Sequence, residues 1–180
     1  MYYIGIDLGG TNIAAGVVDE DNKIIVKGSV PTKAQRPAEE IVADMGKLCL
    51  DLLAQAKIDI SEVAYAGIAA PGSVDPETGC VVYANNLPFL DFPIANLLRK
   101  YLPVEKVYLE NDANAAAYGE AIAGAARGTR YAVMITLGTG LGGGAEVDVY
   151  VSPAAGGTEE PIVLGLARGT GRALTDVAPG

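Results

Sequence analysis

Ile4-Gly5-Ile6-Asp7-Leu8-Gly9-Gly10-Thr11-Asn12 is the stretch around which this chain is organised. The apolar run from Tyr2 to Ile6 has the composition of a buried strand. It ends in an acidic residue and two glycines, and a second strand-like run, Ile13 to Val18, follows at once. A tight strand–turn–strand with paired Gly brings bare backbone N–H groups to the turn, because Gly tolerates unusual φ/ψ and has no Cβ in the way. Thr11 and Asn12 add side-chain donors, and Asp7 adds a carboxylate. Clustered N–H groups attract anions and a carboxylate holds a metal ion or its water shell, so the turn suits a phosphate chain with its Mg²⁺. The alternative is a plain β-hairpin, for which Gly-Gly is a common turn signal.

Outward from this turn, Tyr2–Asp7, Ile13–Asp19 and Lys23–Pro31 read as three successive strands. The short polar turn Glu20-Asp21-Asn22 makes the second and third an antiparallel hairpin. From Pro37 the period changes: Ile41, Met45, Leu48 and Leu52 recur at helical spacing, with Val42, Cys49 and Leu53 widening the stripe. Pro37 suits a first helical turn, and Glu39 and Glu40 complement its dipole. Cys49 lies on the apolar stripe and reads as a small core residue. Val63–Ala70 is strand-like and ends in the turn signal Pro71-Gly72. A loop over Asp75–Gly79 and a short apolar run, Cys80–Tyr83, precede Asn85-Asn86-Leu87-Pro88. Ile94–Tyr101 reads as a short helix, Lys106–Glu110 as a strand, and Asp112 opens an Ala-rich helix to about Ala126 with Gly128 as its stop. Tyr131–Leu137 is again an apolar strand. The order predicts an α/β fold with a mixed sheet: an antiparallel opening, then crossover units whose helices cover both faces and whose binding loops gather at one sheet edge.

Composition narrows the chemistry. Half of the 180 residues are apolar, which calls for a packed core. A net charge of −9 without basic runs argues against nucleic acid or an anionic membrane surface as partner. There is no His, so acid–base work falls to Asp, Glu, Lys, Tyr or Cys. Cys49 and Cys80 are far apart with no C-x-x-C spacing, so no zinc is expected in this chain. With no signal-peptide pattern at the N-terminus and no membrane-length apolar run, a cytoplasmic location is expected.

Three further stretches carry candidate chemistry. Asn111-Asp112 sits where a strand ends and a helix begins. Both residues are good helix N-caps, and Asp112 is equally a candidate general base at the carboxyl edge of the sheet. Gly138–Gly144 holds five glycines in seven residues after a buried strand, which favours contact with an anion or nucleotide. No Gly-Lys-Ser/Thr follows, so it is not a P-loop. Asn85-Asn86 is either a polar turn or a source of amides for sugar hydroxyls.

Taken together, Asp7-x-Gly9-Gly10-Thr11-Asn12, Glu110-Asn111-Asp112-Ala113-Asn114-Ala115-Ala116 and Leu137-Gly138-Thr139-Gly140-Leu141-Gly142-Gly143-Gly144 resemble, in this order and spacing, the ROK family of sugar kinases, in particular its bacterial glucokinases. Ala70-Pro71-Gly72 and Asn86-Leu87-Pro88 match family positions as well, and the resemblance runs from residue 2 to about 144. It implies the actin-like, ribonuclease-H-like ATPase fold, with two α/β domains around a nucleotide and sugar cleft. It also implies transfer of the ATP γ-phosphoryl group to a hexose, most often to the 6-OH of glucose. In that scheme Asp112 is the base, and Asn86 and Asn111 contact sugar hydroxyls. Asp7 acts near Mg²⁺, and Gly9, Gly10, Thr11 and Asn12 surround phosphate. Gly138, Thr139, Gly140, Gly142 and Gly143 form a second phosphate loop.

The family pattern fades after Gly144. Glu159 aligns with a sugar-contacting Glu of the family's Glu-x-Gly-His segment, but Pro161 and Ile162 stand where Gly and His would be, and the family's Cys-rich zinc motif does not follow. The expected organisation is an N-terminal actin-like domain over residues 1–128 and the truncated start of a second α/β domain over residues 129–180, in a fragment or frame-shifted product. An ATP-dependent hexokinase of glucokinase type is the leading expectation, with little turnover from the truncated chain. A non-catalytic sugar-binding or regulatory relic is the second reading, and a homo-oligomer that completes its cleft from another chain is the third. The family's repressors carry a helix-turn-helix ahead of the first phosphate motif. That motif begins here at Asp7, so DNA binding is not expected.

Overall fold

The computed structural model describes residues 1–128, 131–137, 147–153, 163–168 and 172–174. The chain divides into two compact units, Met1–Asp112 and Ala113–Gly180.

The first unit is built on a five-stranded sheet. β1 (Tyr2–Leu8), β2 (Asn12–Asp19) and β3 (Ile24–Pro31) form an antiparallel meander. β4 (Val63–Ala70) pairs parallel with β1, and β8 (Val107–Asn111) pairs parallel with β4, giving the order β3-β2-β1-β4-β8. The β2–β3 turn is closed by Asp19, whose Oδ1 accepts from the N–H groups of Asp21 at 3.0 Å and Lys23 at 2.9 Å. Asn22 takes the left-handed conformation there (φ 62°), which Asn tolerates better than most residues.

Strand alternation divides the sheet cleanly. Ile4, Ile6, Leu8, Ile13, Ala15, Val17, Ala66, Ile68 and Leu109 are buried on one face. They meet α1 (Ala38–Ala56) and α2 (Ile94–Tyr101). The expected stripe of α1 is buried throughout, Cys49 included. Its end is a two-bond left-handed cap: Lys57 (φ 59°) donates to Ala54 O at 3.2 Å and Ile58 donates to Leu53 O at 3.0 Å. α1 and α2 touch at Gly46, where a Cβ would lie only 2.5 Å from Tyr101 Cβ.

The expectation that helices cover both faces is not met within this unit. The connections through α1 and α2 move the same way across the sheet order, so no reversal sends a helix to the opposite side. On that side Gly16, Gly5 and Gly67 stand abreast in register, and a Cβ at Gly5 or Gly67 would meet nothing within 4 Å. Beside them Tyr3 and Tyr65 pack at 4.7 Å between ring centroids, and Tyr65 meets Tyr108 edge-on at 5.3 Å.

A small antiparallel sheet projects between β4 and α2. It consists of β5 (Ser73–Asp75), β6 (Cys80–Tyr83) and β7 (Leu90–Phe92). The sequence marks only its middle strand, because three-residue strands are too short to show alternation. Gly79 turns between β5 and β6 at φ 71°, and a Cβ there would come 2.7 Å from Ala95 Cβ.

α3 (Asp112–Ala123) leads into the second unit, ending slightly before the expected Ala126. Gly128, expected to stop this helix, lies five residues beyond its end in the turn that follows, at φ 83°; the last helical bond is instead the Gly124 N–H donating to Glu120 O at 3.0 Å. β9 (Tyr131–Leu137), β10 (Val147–Pro153), β11 (Val163–Arg168) and β12 (Arg172–Leu174) form a mixed sheet in the order β10-β9-β11-β12. β9 pairs antiparallel with β10 and parallel with β11. Among the described residues, no helix is long and apolar enough to cross a membrane.

Candidate active site

The β1–β2 turn lies at the edge of the sheet where the parallel strands β1, β4 and β8 end. Neither Gly9 nor Gly10 has a positive φ, and Gly9 is there for room rather than for an unusual dihedral. A Cβ on Gly9 would sit 2.9 Å from Asn12 O, and one on Gly10 would sit 3.5 Å from Asn86 Cβ. Gly9 donates its N–H to Asn12 O at 3.0 Å, closing the turn. Among the described residues, none accepts from the N–H of Gly10 or Thr11. The turn therefore offers unspent backbone donors, as an anion site requires.

Asp7 is the penultimate residue of β1, level with Ala14 of β2 and Ala69 of β4. Asp7 is exposed as a residue, yet the surrounding sheet edge removes enough water from its carboxyl group to raise its pKa above the ordinary carboxylate value. Among the described residues, no three His, Cys, Asp or Glu side chains gather into a cation cage. A lone carboxylate beside anion-ready N–H groups fits Mg²⁺, which keeps most of its water and takes one or two carboxylates together with substrate phosphates.

Asn86 lies in the exposed β6–β7 turn, and its Cβ faces Gly10. Asn111 ends β8 in register with Ala70. Its Nδ2 donates to Gly72 O at 3.0 Å, tying the strand end to the corner after β4. Gly72 is at φ 87°, and a Cβ there would overlap Tyr83 O, so the corner is pressed against the end of β6. Asp112 follows as the first residue of α3 and is partly buried. The fold thus brings the Gly9–Asn12 turn, Asn86, Asn111 and Asp112 to one edge of the first unit. The candidates Gly138, Thr139, Gly140, Gly142, Gly143 and Glu159 lie outside the described residues.

Thr32 is absent from the sequence candidates. It lies just past β3, with Oγ1 donating to Gly9 O at 2.6 Å and its N–H donating to Thr11 O at 2.8 Å. Topology is the available signal: in a β1–β2–β3 meander, the end of the third strand returns to the first turn.

A model of the ROK family matches residues 3–159. The chain is 40% identical over 149 residues to a glucokinase of Thermotoga maritima, a match covering 82% of this chain and 45% of that protein. Among solved structures, the ROK hexokinase of Thermus thermophilus superposes with a TM-score of 0.71 at 32% identity, covering 86% of this chain and 47% of that one. A ROK family glucokinase from Streptomyces griseus, solved with glucose and AMPPNP, gives a TM-score of 0.70 at 36% identity, covering 86% and 49%. The chain therefore spans about half the length of these relatives. The strand order, the mixed sheets and these matches agree on the actin-like ATPase fold, and the chain belongs to the ROK family.

Proposed function

We propose that this chain forms the phosphate- and sugar-binding wall of an ATP-dependent hexose kinase of the cytoplasm, with the 6-OH of glucose as acceptor. The supporting observation is the convergence at one sheet edge of unspent turn donors, two carboxylates and two side-chain amides within residues 7–112. Residues 129–180 would open the second lobe, with Gly138–Gly143 as its phosphate loop and Glu159 as a further sugar contact.

In this scheme Asn86 and Asn111 hold sugar hydroxyls through amides that both donate and accept. Asp112 takes the proton of the acceptor hydroxyl as its oxygen bonds to the γ-phosphorus and the bond to ADP breaks. Backbone N–H groups of the Gly9–Asn12 turn hold phosphate oxygens. Mg²⁺, held by Asp7 directly or through water, would neutralise charge on the phosphates. Positioning and charge neutralisation supply most of the catalysis in phosphoryl transfer, so a wall of this kind is a working part.

The test is ADP release with glucose, mannose, fructose and N-acetylmannosamine, beside calorimetric binding of glucose and magnesium–ATP. In a version of the protein that also carries the second lobe, Asp112→Asn is expected to lower turnover by about a hundredfold or more while sugar binding persists. Unchanged turnover would remove Asp112 from the scheme. Glucose binding without any nucleotide binding would favour a sugar-sensing relic instead.

A further inference from the structure

We propose that Thr32 is a positioning residue: by holding the carbonyls of Gly9 and Thr11, it turns the N–H groups of Gly10 and Asn12 away from itself and leaves both for a bound phosphate. This rests on the phosphate role proposed for that turn.

Thr32 is fully buried and is the one polar side chain so enclosed among the described residues. Every hydrogen-bonding part of it is used. The hydroxyl donates to Gly9 O, the N–H donates to Thr11 O, and the carbonyl accepts from Arg36 Nε at 3.1 Å. Arg36 is itself braced by an ion pair, Nη2 to Asp44 Oδ2 at 2.7 Å, and Asp44 is on α1. The loop that shapes the turn is thus anchored to a helix packed on the sheet.

The geometry of the peptide group gives this clamp its consequence. Across a trans peptide, the C=O of one residue and the N–H of the next point in opposite directions. The described chain has no cis peptide. With Gly9 O drawn to the Thr32 hydroxyl, the Gly10 N–H must face away from Thr32. With Thr11 O drawn to the Thr32 N–H, the Asn12 N–H must do the same. Two donors are therefore fixed before any anion arrives, which spares binding the cost of ordering them.

The experiment is an amide-resolved NMR titration of this chain with magnesium–ATP and, separately, glucose, for the parent and for Thr32→Val, Thr32→Ser and Arg36→Gln. In the parent, magnesium–ATP is expected to shift the Gly10 and Asn12 amides. Thr32→Val keeps the shape and the N–H but loses the hydroxyl, and should weaken magnesium–ATP about tenfold with glucose affinity unchanged. Thr32→Ser should restore it to within about twofold, and Arg36→Gln should weaken it about threefold. Parental nucleotide affinity in Thr32→Val would overturn the inference. So would equal losses in Val and Ser variants, or a parallel loss of glucose affinity. If Thr32→Val fails to fold, an unweakened Arg36→Gln overturns it. A parent chain that shows no response to magnesium–ATP would overturn the phosphate role of the turn, and this inference with it.

Discussion

The side-chain amide of Asn111 reaches the main-chain carbonyl of Gly72 at 3.0 Å, across thirty-nine residues of sequence. This bond joins the ends of β4 and β8 at the sheet edge and fixes how the Asn111 amide is presented. Replacing Asn111 with Ala should lower stability in urea by about 1 kcal/mol, the ordinary worth of one hydrogen bond. On the proposed scheme it should also abolish detectable glucose binding. A variant that binds glucose as the parent does would remove Asn111 from the sugar site.

Asp7 gives a pH signature. Burial raises its folded pKa, so the folded chain holds this proton more tightly than the unfolded one. That linkage favours the folded state at low pH and is lost as pH rises through the folded value. Asp7→Asn should therefore melt above the parent at neutral pH. The gap should close on acidification through the carboxylate range. A constant gap across thermal melts over that range would contradict the burial effect.

Two glycine substitutions should act with opposite signs. In an exposed helix interior, Gly→Ala is worth about 1 kcal/mol of stability. At Gly46 the new methyl would meet Tyr101 Cβ, with Tyr101 backbone atoms 3.2 and 3.4 Å away, so Gly46→Ala should cost about 1–3 kcal/mol as α2 is displaced. At Gly5 the space is open, and Gly5→Ala should add about 0.5–1 kcal/mol by restricting the unfolded chain. Denaturant midpoints measure both.

The cysteines should react at very different rates. Cys49 is fully buried on α1, and its thiol is pushed up to about 12, so thiolate is scarce even when the reagent arrives. Cys80 is half-buried at the start of β6. A thiol-reactive dye should label one fast site per native chain, identified as Cys80 by mass spectrometry. Rapid labelling of Cys49 would show that α1 opens far more readily than its packing implies.

What was legible in the sequence follows from element length and from contact distance. α1 and α2 span enough turns for their apolar stripes to repeat, and the bounds of α2 coincide with the expected Ile94–Tyr101. β5 and β7 have three residues each, too few for any period to emerge. Asn111 and Asp112 could be placed because a strand end meeting a helix start is a local pattern. Thr32 could not, because its role depends on carbonyls more than twenty residues away. Gly9 and Gly10 were visible as glycines, but the sequence does not say whether freedom of φ or absence of a side chain is being used. At Gly9 the structure uses the second; at Gly10 a Cβ would make only an ordinary contact with Asn86.

The meander also sets an order in time. β1, β2 and β3 lie within residues 2–31 and pair through their nearest neighbours, and Thr32 follows directly. Pairings of low sequence separation form early, while β4 and β8 must close far longer loops. On a growing chain, the turn and its clamp can assemble before Asn86, Asn111 and Asp112 have been synthesised. Pulse-labelled exchange during refolding should accordingly protect amides of the meander ahead of those in β8. The turn proposed to hold phosphate would then serve as the mould onto which the residues proposed to hold sugar are later laid.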